Sequence, residues 1–350
     1  MKEFFYKYLK WIGEGNPYRE VILSTRFRLA RNIVDFPFPP QASTIQRKRL
    51  LNKVEWTLKN ERNLAQFELW NVEKLPGVVQ ESFIEKHLMS DDQLNNLSGA
   101  GLIVDKSGKL SIMVNEEDHF RFQALSGGFD IKENWEDILS LEDLFSEYFS
   151  FAFEDKLGYL TSCITNLGCG LRVSFLVHLP GLVYSGRIKD FLRKIRASKI
   201  LVRGLYGEGT KVIAGFYQIT TRSSLGYSEN QLVKKMGDIA QKIVQEEMLA
   251  RELLLAEDKR LVEDIVGRAF GILRHAKYIN SLETINLLSD IRLGVSIGII
   301  DMPLRVLDLL LILTLPAHVQ LREDKDLAPE ERDGVRADLL RDVFKSYKIH

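Results

Sequence analysis

From residue 229 to the C-terminus, leucine, isoleucine and valine return every three or four positions with charged residues filling the intervals, a period that predicts helices. The helical stretches run over 229–257, 259–278, 281–297, 303–313 and 329–347, with Pro303 and Pro329 in first turns, where a missing amide hydrogen costs nothing. Before about Gly226 the apolar positions come instead in short alternating runs mixed with helices and broken by turn residues. Residues 101–115 read as two strands joined by the turn Asp105-Lys106-Ser107-Gly108, a short strand is expected at 159–162, and 172–179 and 212–219 read as further sheet members. Hairpins of this kind build antiparallel sheets. The expectation is an α+β fold: a catalytic domain over 1–228 with a mainly antiparallel sheet flanked by helices, then an all-helical regulatory domain over 229–350. The one linker-like stretch, 321–331, is short and charged.

Composition narrows the function class. The chain has 350 residues, 45% hydrophobic and 27% charged, enough for two ordinary globular domains. Lys+Arg and Asp+Glu both number 48, so no global basic excess draws in nucleic acid or an anionic membrane, and any anion site must be local. The opening MKEFFYKYLKWIGEGN interleaves charges with aromatics and lacks the apolar stretch of a signal peptide. The longest apolar run, 306–315, contains Asp308 and is too short for a bilayer, which takes about 20 residues. A cytoplasmic location is expected. Cys163 and Cys169 share one glycine-containing loop with no Cys or His cluster nearby, which favours reduced thiols over a disulfide framework or a metal site.

Three segments carry candidate chemistry: Asn115-Glu116-Glu117-Asp118-His119-Phe120-Arg121, Cys163-Ile164-Thr165-Asn166-Leu167-Gly168 and Arg203-Gly204-Leu205-Tyr206-Gly207-Glu208. Carboxylates hold a planar guanidinium by paired hydrogen bonds, and arginines clamp polyphosphate oxygens, so the combination points to phosphoryl transfer from a nucleotide to an arginine. A guanidinium is protonated and resonance-stabilised, and to attack phosphorus it must be aligned and lose a proton as the bond forms. Glu117 and Glu208 are the candidates for that work. Arg26 and Arg28 alternate along one strand and so share a face, where Arg121, Arg172 and Arg203 can join them around a triphosphate and Mg²⁺. Cys163 as a thiolate can lie against the acceptor cation, and His87 can stack on or hydrogen-bond to the nucleotide. Each residue has an ordinary reading too: a solvated turn for the glutamates, surface ion pairs for the arginines, a small buried hydrophobe for Cys163, a helix-surface histidine for His87. No Walker A or dinucleotide fingerprint competes.

Together these segments resemble the ATP:guanido phosphotransferases, marked by an NEEDH motif, a cysteine loop and a strand-borne arginine pair. Within that family, the run from Val21 to Asn32, the Glu85-Lys86-His87 site and the closing helices look like the bacterial branch that phosphorylates arginine in proteins. The resemblance covers nearly the whole chain and implies the guanido kinase catalytic fold. By similarity, Glu117 and Glu208 bind and activate the acceptor and Cys163 is the reactive thiol. ATP is implied at Ser24, Thr25, Arg26, Phe27 and Arg28, at His87 and Arg121, at Arg172, Val173, Ser174, Phe175 and Leu176, and at Arg203, Gly204, Leu205, Tyr206, Gly207 and Glu208, with Mg²⁺ held mainly through the nucleotide. Arg332, Asp333, Arg336 and Ala337 match an R-D-x-x-R-A pattern that implies a second, allosteric pocket for phosphoarginine; read alone, the segment is a solvated helix face. Ile164 stands where proline is usual and Cys169 where threonine is common, which bears on how Cys163 is held and on sensitivity to oxidation.

The helical gating domain that precedes the catalytic domain of free-arginine and creatine kinases has no room in this sequence, so the resemblance implies an acceptor site open to arginines on exposed or unfolded protein segments. It further implies a zinc-containing activator adaptor, a Clp unfoldase-protease that receives the marked proteins, and a homodimer. The rivals are a kinase of a free guanidino compound and a catalytically silent regulator that reads phosphoarginine.

Overall fold

The computed structural model describes residues 2–13, 15–204 and 213–349. Its strands are β1 Ile22–Arg31, β2 Phe67–Asn71, β3 Gly101–Asp105, β4 Leu110–Val114, β5 Phe120–Gly127, β6 Phe153–Glu154, β7 Gly158–Tyr159, β8 Leu171–His178, β9 Ile200–Arg203 and β10 Phe216–Thr221. Among the described residues, all but β6 and β7 form one eight-stranded sheet in the order β2-β3-β4-β5-β1-β8-β10-β9, antiparallel at every pairing. The helices are α1 Thr44–Asn60, α2 Gly77–Glu85, α3 Ile131–Ser146, α4 Pro180–Tyr184, α5 Ile188–Ala197, α6 Glu229–His275, α7 Ser281–Ser296, α8 Leu304–Leu313, α9 Pro316–Glu323 and α10 Pro329–Phe344.

Period-two alternation divides the sheet into two faces. Phe27, Leu29, Phe120, Phe122, Val173 and Phe175 point to one, where α3 and the first half of α6 bury them with Ile138, Phe145, Met236 and Ile243. On the other face, β3, β4 and β5 offer Leu102, Val104, Met113 and Leu125, which share a core with the N-terminal segment, α2 and the C-terminal helices through Tyr8, Phe83, Ile291, Leu293 and Leu340.

The break expected at residue 258 is a kink: Asp258 leaves helical geometry (φ −148°, ψ 70°) and its carboxylate accepts from the Leu261 amide at 3.0 Å, capping the second half of α6. Ser228 begins α6 with a capping box closed by Gln231. Three elements differ from the sequence reading. Helix α9, with Pro316 in its first turn, occupies a stretch whose period is too short to read. Strand β10 begins at Phe216, because Ala214 (φ 55°) and Gly215 (φ 70°) form a left-handed turn, and residue 212 of the expected strand lies outside the described residues. The pairing expected at 159–162 is confined to Gly158–Tyr159.

The end of α2 joins the two halves of the chain. The Glu85 carboxylate accepts from the amides of Ala317 (2.8 Å) and His318 (3.0 Å), the free N–H groups of α9's first turn, and meets His318 Nδ1 at 2.5 Å. Among the described residues no single helix is long and apolar enough to cross a membrane.

Candidate active site

Strand register gathers the arginines. Arg26 lies opposite Leu125 and Ser174, and Arg28 opposite Gln123 and Arg172. Arg121 follows on β5 on the same side as Gln123, and Arg203 pairs with Gln218, which stands opposite Leu176. Arg26, Arg28, Arg121, Arg172 and Arg203 therefore share one face. Like charges directly opposite one another in a sheet repel, and a protein keeps such a pair only where something else rewards it. Burial, Arg121 and Arg203 push Arg26 down to about 10, and burial with Arg26, Arg121 and Arg172 pushes Arg28 further below its usual value. Burial, Arg121 and Arg203 also lower Arg172. The Arg28 Nε is buried with no hydrogen-bond partner. Such a face is built to receive a multiply charged anion.

The acidic motif closes one end of this face, and its residues divide the labour. Asn115 takes a left-handed conformation (φ 58°), and its amide clasps the carbonyls of Arg47 (3.0 Å) and Gly99 (2.8 Å). Glu116 binds Arg121 and Ser90; burial pushes its carboxyl up, but Arg121 and the Ser90 hydroxyl hold it below the usual range. Asp118 accepts from Asn32 Nδ2 (2.6 Å) and the Ser162 amide (2.7 Å), while His119 accepts the Ile33 amide at 3.1 Å, so these two fix the loops around the site. Burial pushes the His119 imidazole down to about 4, consistent with that acceptor role.

Glu117 reaches the side chains of the cysteine loop. Asn166 Nδ2 donates to its Oε2 at 3.3 Å, and Asn166 Oδ1 accepts from Arg172 Nε at 2.8 Å. Thr165 Oγ1 touches both Arg172 Nη2 (2.5 Å) and Cys163 Sγ (3.1 Å). Burial, then Asp118 and Glu116, raise the Glu117 carboxyl above its ordinary value. A half-buried carboxylate with raised proton affinity, chained through Asn166 to a phosphate-ready arginine, has the makings of a general base beside an anion site. Glu116, Thr165 and Asn166, which lie inside the motifs but carry no role of their own in the sequence reading, and Ser90, which no motif marks, do as much to shape this end as the residues assigned roles from the sequence.

His87 sits just past α2 in a left-handed conformation (φ 61°), and Gln123 Nε2 donates to its carbonyl at 2.8 Å. Burial and Arg26 push its imidazole down to about 4. With Ser24, Arg26, Ser174, Leu176 and Gln218 it lines a small cavity of about 20 Å³ on the arginine face. Thr25, Phe27, Val173 and Phe175 do not join them: their side chains point to the opposite face and are buried in the core, so they contribute only backbone here. Gly204 follows β9, and Leu205, Tyr206, Gly207 and Glu208 lie outside the described residues.

Near the C-terminus the buried Arg336 donates to the carbonyls of Thr314 (2.6 Å) and Ile279 (2.8 Å) and pairs with Asp333 at 2.5 Å, stapling α10 to the end of α8. Arg332, one turn earlier, is half-buried, and Ala337 is buried. Cys163 and Cys169 are both free thiols, and burial raises the pKa of Cys169.

Comparison with known proteins gives consistent matches. Residues 49–250 match the model for the ATP:guanido phosphotransferase C-terminal catalytic domain, and residues 259–350 the model for the protein-arginine kinase McsB C-terminal domain. A protein-arginine kinase of Halothermothrix orenii is 38% identical over 332 residues, 95% of this chain and 95% of that protein. One from Caldanaerobacter subterraneus subsp. tengcongensis is 38% identical over 324 residues, 92% of this chain and 96% of the relative. Among solved structures, the duplicated taurocyamine kinase of Schistosoma mansoni with bound transition-state-analogue components superposes at TM-score 0.61 and 26% identity, over 67% of this chain and 34% of that one. Lombricine kinase shares the fold at TM-score 0.58 and 23% identity, over 67% of this chain and 68% of its own.

Proposed function

The chain belongs to the ATP:guanido phosphotransferase family and carries the C-terminal domain of its protein-arginine kinase branch, and from that premise we propose that it transfers the γ-phosphate of ATP to arginine side chains in proteins. The observation that carries this reading is the single sheet face on which four strands place Arg26, Arg28, Arg121, Arg172 and Arg203, with Glu117 at its end. In the reaction, a guanidinium nitrogen attacks the γ-phosphorus, the bond to the β-phosphate oxygen breaks, and the nitrogen's proton passes to a carboxylate as ADP leaves. Glu117 takes the proton. Asn166 holds Glu117 and Arg172 in fixed relation, so the base and the phosphate clamp keep register. The arginines meet charge as it spreads over the transferring group, which is most of what phosphoryl transfer asks of a protein.

Among the described residues no three His, Cys, Asp or Glu side chains gather as a metal site. The face offers guanidinium donors, and we read Mg²⁺ as carried on the phosphates of ATP. Glu208 is assigned as the second acceptor carboxylate on the family resemblance, and a zinc-containing adaptor and a Clp protease belong to the same reading on the same ground; a cytoplasmic homodimer is proposed beside them. Activation by phosphoarginine would fall mainly to Arg332, since Arg336 is committed to carbonyls and Asp333.

The test is incubation with Mg²⁺, ATP and an unfolded protein, followed by mass spectrometry without acid so that the P–N bond survives. Phosphoarginine is expected from the wild-type chain, and from Glu117→Gln at a rate about 10²–10⁴-fold lower. Phosphorylation of free arginine at the same rate would favour a metabolite kinase, and phosphoarginine binding without ATP turnover a silent regulator.

A further inference from the structure

Away from the arginine face, α4, α7 and the start of β10 enclose a cavity of about 330 Å³ whose walls include Pro180, Val183, Tyr184, Tyr217, Asn286 and Asp290. It lies just past the C-terminal end of β8, whereas Arg172 and the cysteine loop stand at the start of that strand, so roughly 20 Å of strand separates the two. The arginine pattern of α10 is elsewhere too, at the far end of α7, where Arg336 holds the Ile279 carbonyl.

Two polar groups in the cavity wall are unspent. The Asp290 carboxylate is half-buried and accepts the Tyr184 hydroxyl on Oδ1 at 2.6 Å, and among the described residues no lysine or arginine pairs with it. Burial pushes this carboxyl above its ordinary value, and the Tyr184 phenol alone pulls it back. Tyr217 is 4% exposed, and its hydroxyl makes no hydrogen bond to the described residues. Carboxylates withdrawn from water ordinarily gain a cation, and buried phenols a hydrogen-bond partner. Arg251, which reaches the His178 carbonyl nearby, does not serve: it is buried and committed to Glu247 at 2.7 Å and Ser296 at 2.8 Å. Asn286 Nδ2 donates to the Leu282 carbonyl at 2.9 Å, which leaves its Oδ1 as a further acceptor. The cavity thus offers acceptors and aromatic rings, with apolar Pro180 and Val183 between them.

We propose that this cavity is a second guanidinium site, an exosite that holds one arginine of a polypeptide while another is phosphorylated beside Glu117. A guanidinium is planar and carries five donors, enough for Asp290 Oδ2, the Tyr217 hydroxyl and the Asn286 amide oxygen, while its face packs on a phenol ring. Its alkyl stem suits Pro180 and Val183. The Asp290 charge repels a phosphorylated arginine, so the site retains unmodified polypeptide and lets product go. The exosite role rests on the kinase reading above; guanidinium binding does not.

The test follows hydrogen exchange in the full chain, without ATP, as N-acetyl-arginine amide or free arginine is titrated. Protection is expected in α4 and over residues 286–290 of α7, equally in the wild type and in Glu117→Gln. Asp290→Asn keeps a group for the Tyr184 hydrogen bond and should need about 10–100-fold more ligand; Tyr217→Phe keeps the ring and should need about 2–10-fold more. Protection by the blocked form assigns the site to polypeptides, and protection by free arginine alone replaces the exosite with a metabolite site. Equal protection by N-acetyl-lysine amide, or none in these two segments, overturns the guanidinium site. In phosphotransfer to an unfolded protein, Asp290→Asn should raise KM about tenfold with kcat unchanged. An unchanged KM overturns the exosite and leaves the kinase reading standing, whereas a wild-type chain that protects these segments but forms no phosphoarginine overturns the kinase reading and the exosite role with it, leaving only the binding site.

Discussion

Arg28 gives a test in which stability and function move in opposite directions. It faces Arg172 across β1 and β8, lies two residues from Arg26, and has a buried Nε without a partner. Replacing it by methionine keeps an apolar stem and removes the charge. At an effective dielectric of about 20, two unit charges about 6 Å apart repel by roughly 3 kcal/mol. An unbonded buried donor adds about 1 kcal/mol, and attraction to Glu116 offsets part of the sum. Arg28→Met should therefore stabilise the ligand-free chain by roughly 1–3 kcal/mol, about 2–6 °C in Tm for a protein of this size. With saturating ADP or tripolyphosphate the order should reverse, because only the wild-type face completes its charge balance on binding. Calorimetric scans with and without ligand, at low and high salt, measure both arms. A variant that melts below the wild type without ligand and keeps the full ligand-induced shift would mean that Arg28 is a structural ion-pair member, and the argument from repulsion would be wrong.

Glu117→Gln should lower kcat by about 10²–10⁴ with the ADP affinity retained; loss of nucleotide binding instead would count against a base role. Because burial and its acidic neighbours raise the Glu117 pKa above the ordinary 4.5 in the ligand-free chain, the base form is lost on acidification earlier than for a free carboxylate, so kcat/KM, which reports the free enzyme, should fall on an acid limb lying above that value and set by this group; a kcat/KM limb at 4.5 or below in wild-type pH profiles would remove the assignment. Asp118→Ala strands the Ser162 amide and leaves Asn32 Nδ2 only the Leu160 carbonyl, and urea denaturation should report a loss of roughly 1–3 kcal/mol; an unchanged midpoint would mean the loops are held elsewhere. Glu85→Ala uncaps α9 at a cost of about 1–2 kcal/mol, visible as faster hydrogen exchange at Ala317 and His318 than in the wild type.

The alternation of Arg26 and Arg28 is legible because a strand's period places both on one side without reference to any other element. That Arg121 and Arg172 stand beside them depends on registers joining segments about a hundred residues apart, and the motif resemblance, rather than periodicity, brings those positions into view. The roles inside Asn115–His119 are not legible: adjacent acidic residues look alike in sequence, and only the partners Arg121, Ser162 and Asn166 separate a buried counter-ion, a loop clamp and a candidate base. Helix α9 escapes notice because its first-turn cap comes from Glu85, far earlier in the chain, whereas local reading looks for caps among immediate neighbours.

That borrowed cap limits how the chain can be rearranged. Transplanting residues 259–350 onto an unrelated enzyme would carry along a helix whose opening amides have lost their carboxylate, so the graft would begin life with a frayed element at its seam. The boundary between the two halves is a seam in composition only, and engineers seeking a portable regulatory module would have to bring the end of α2 with it.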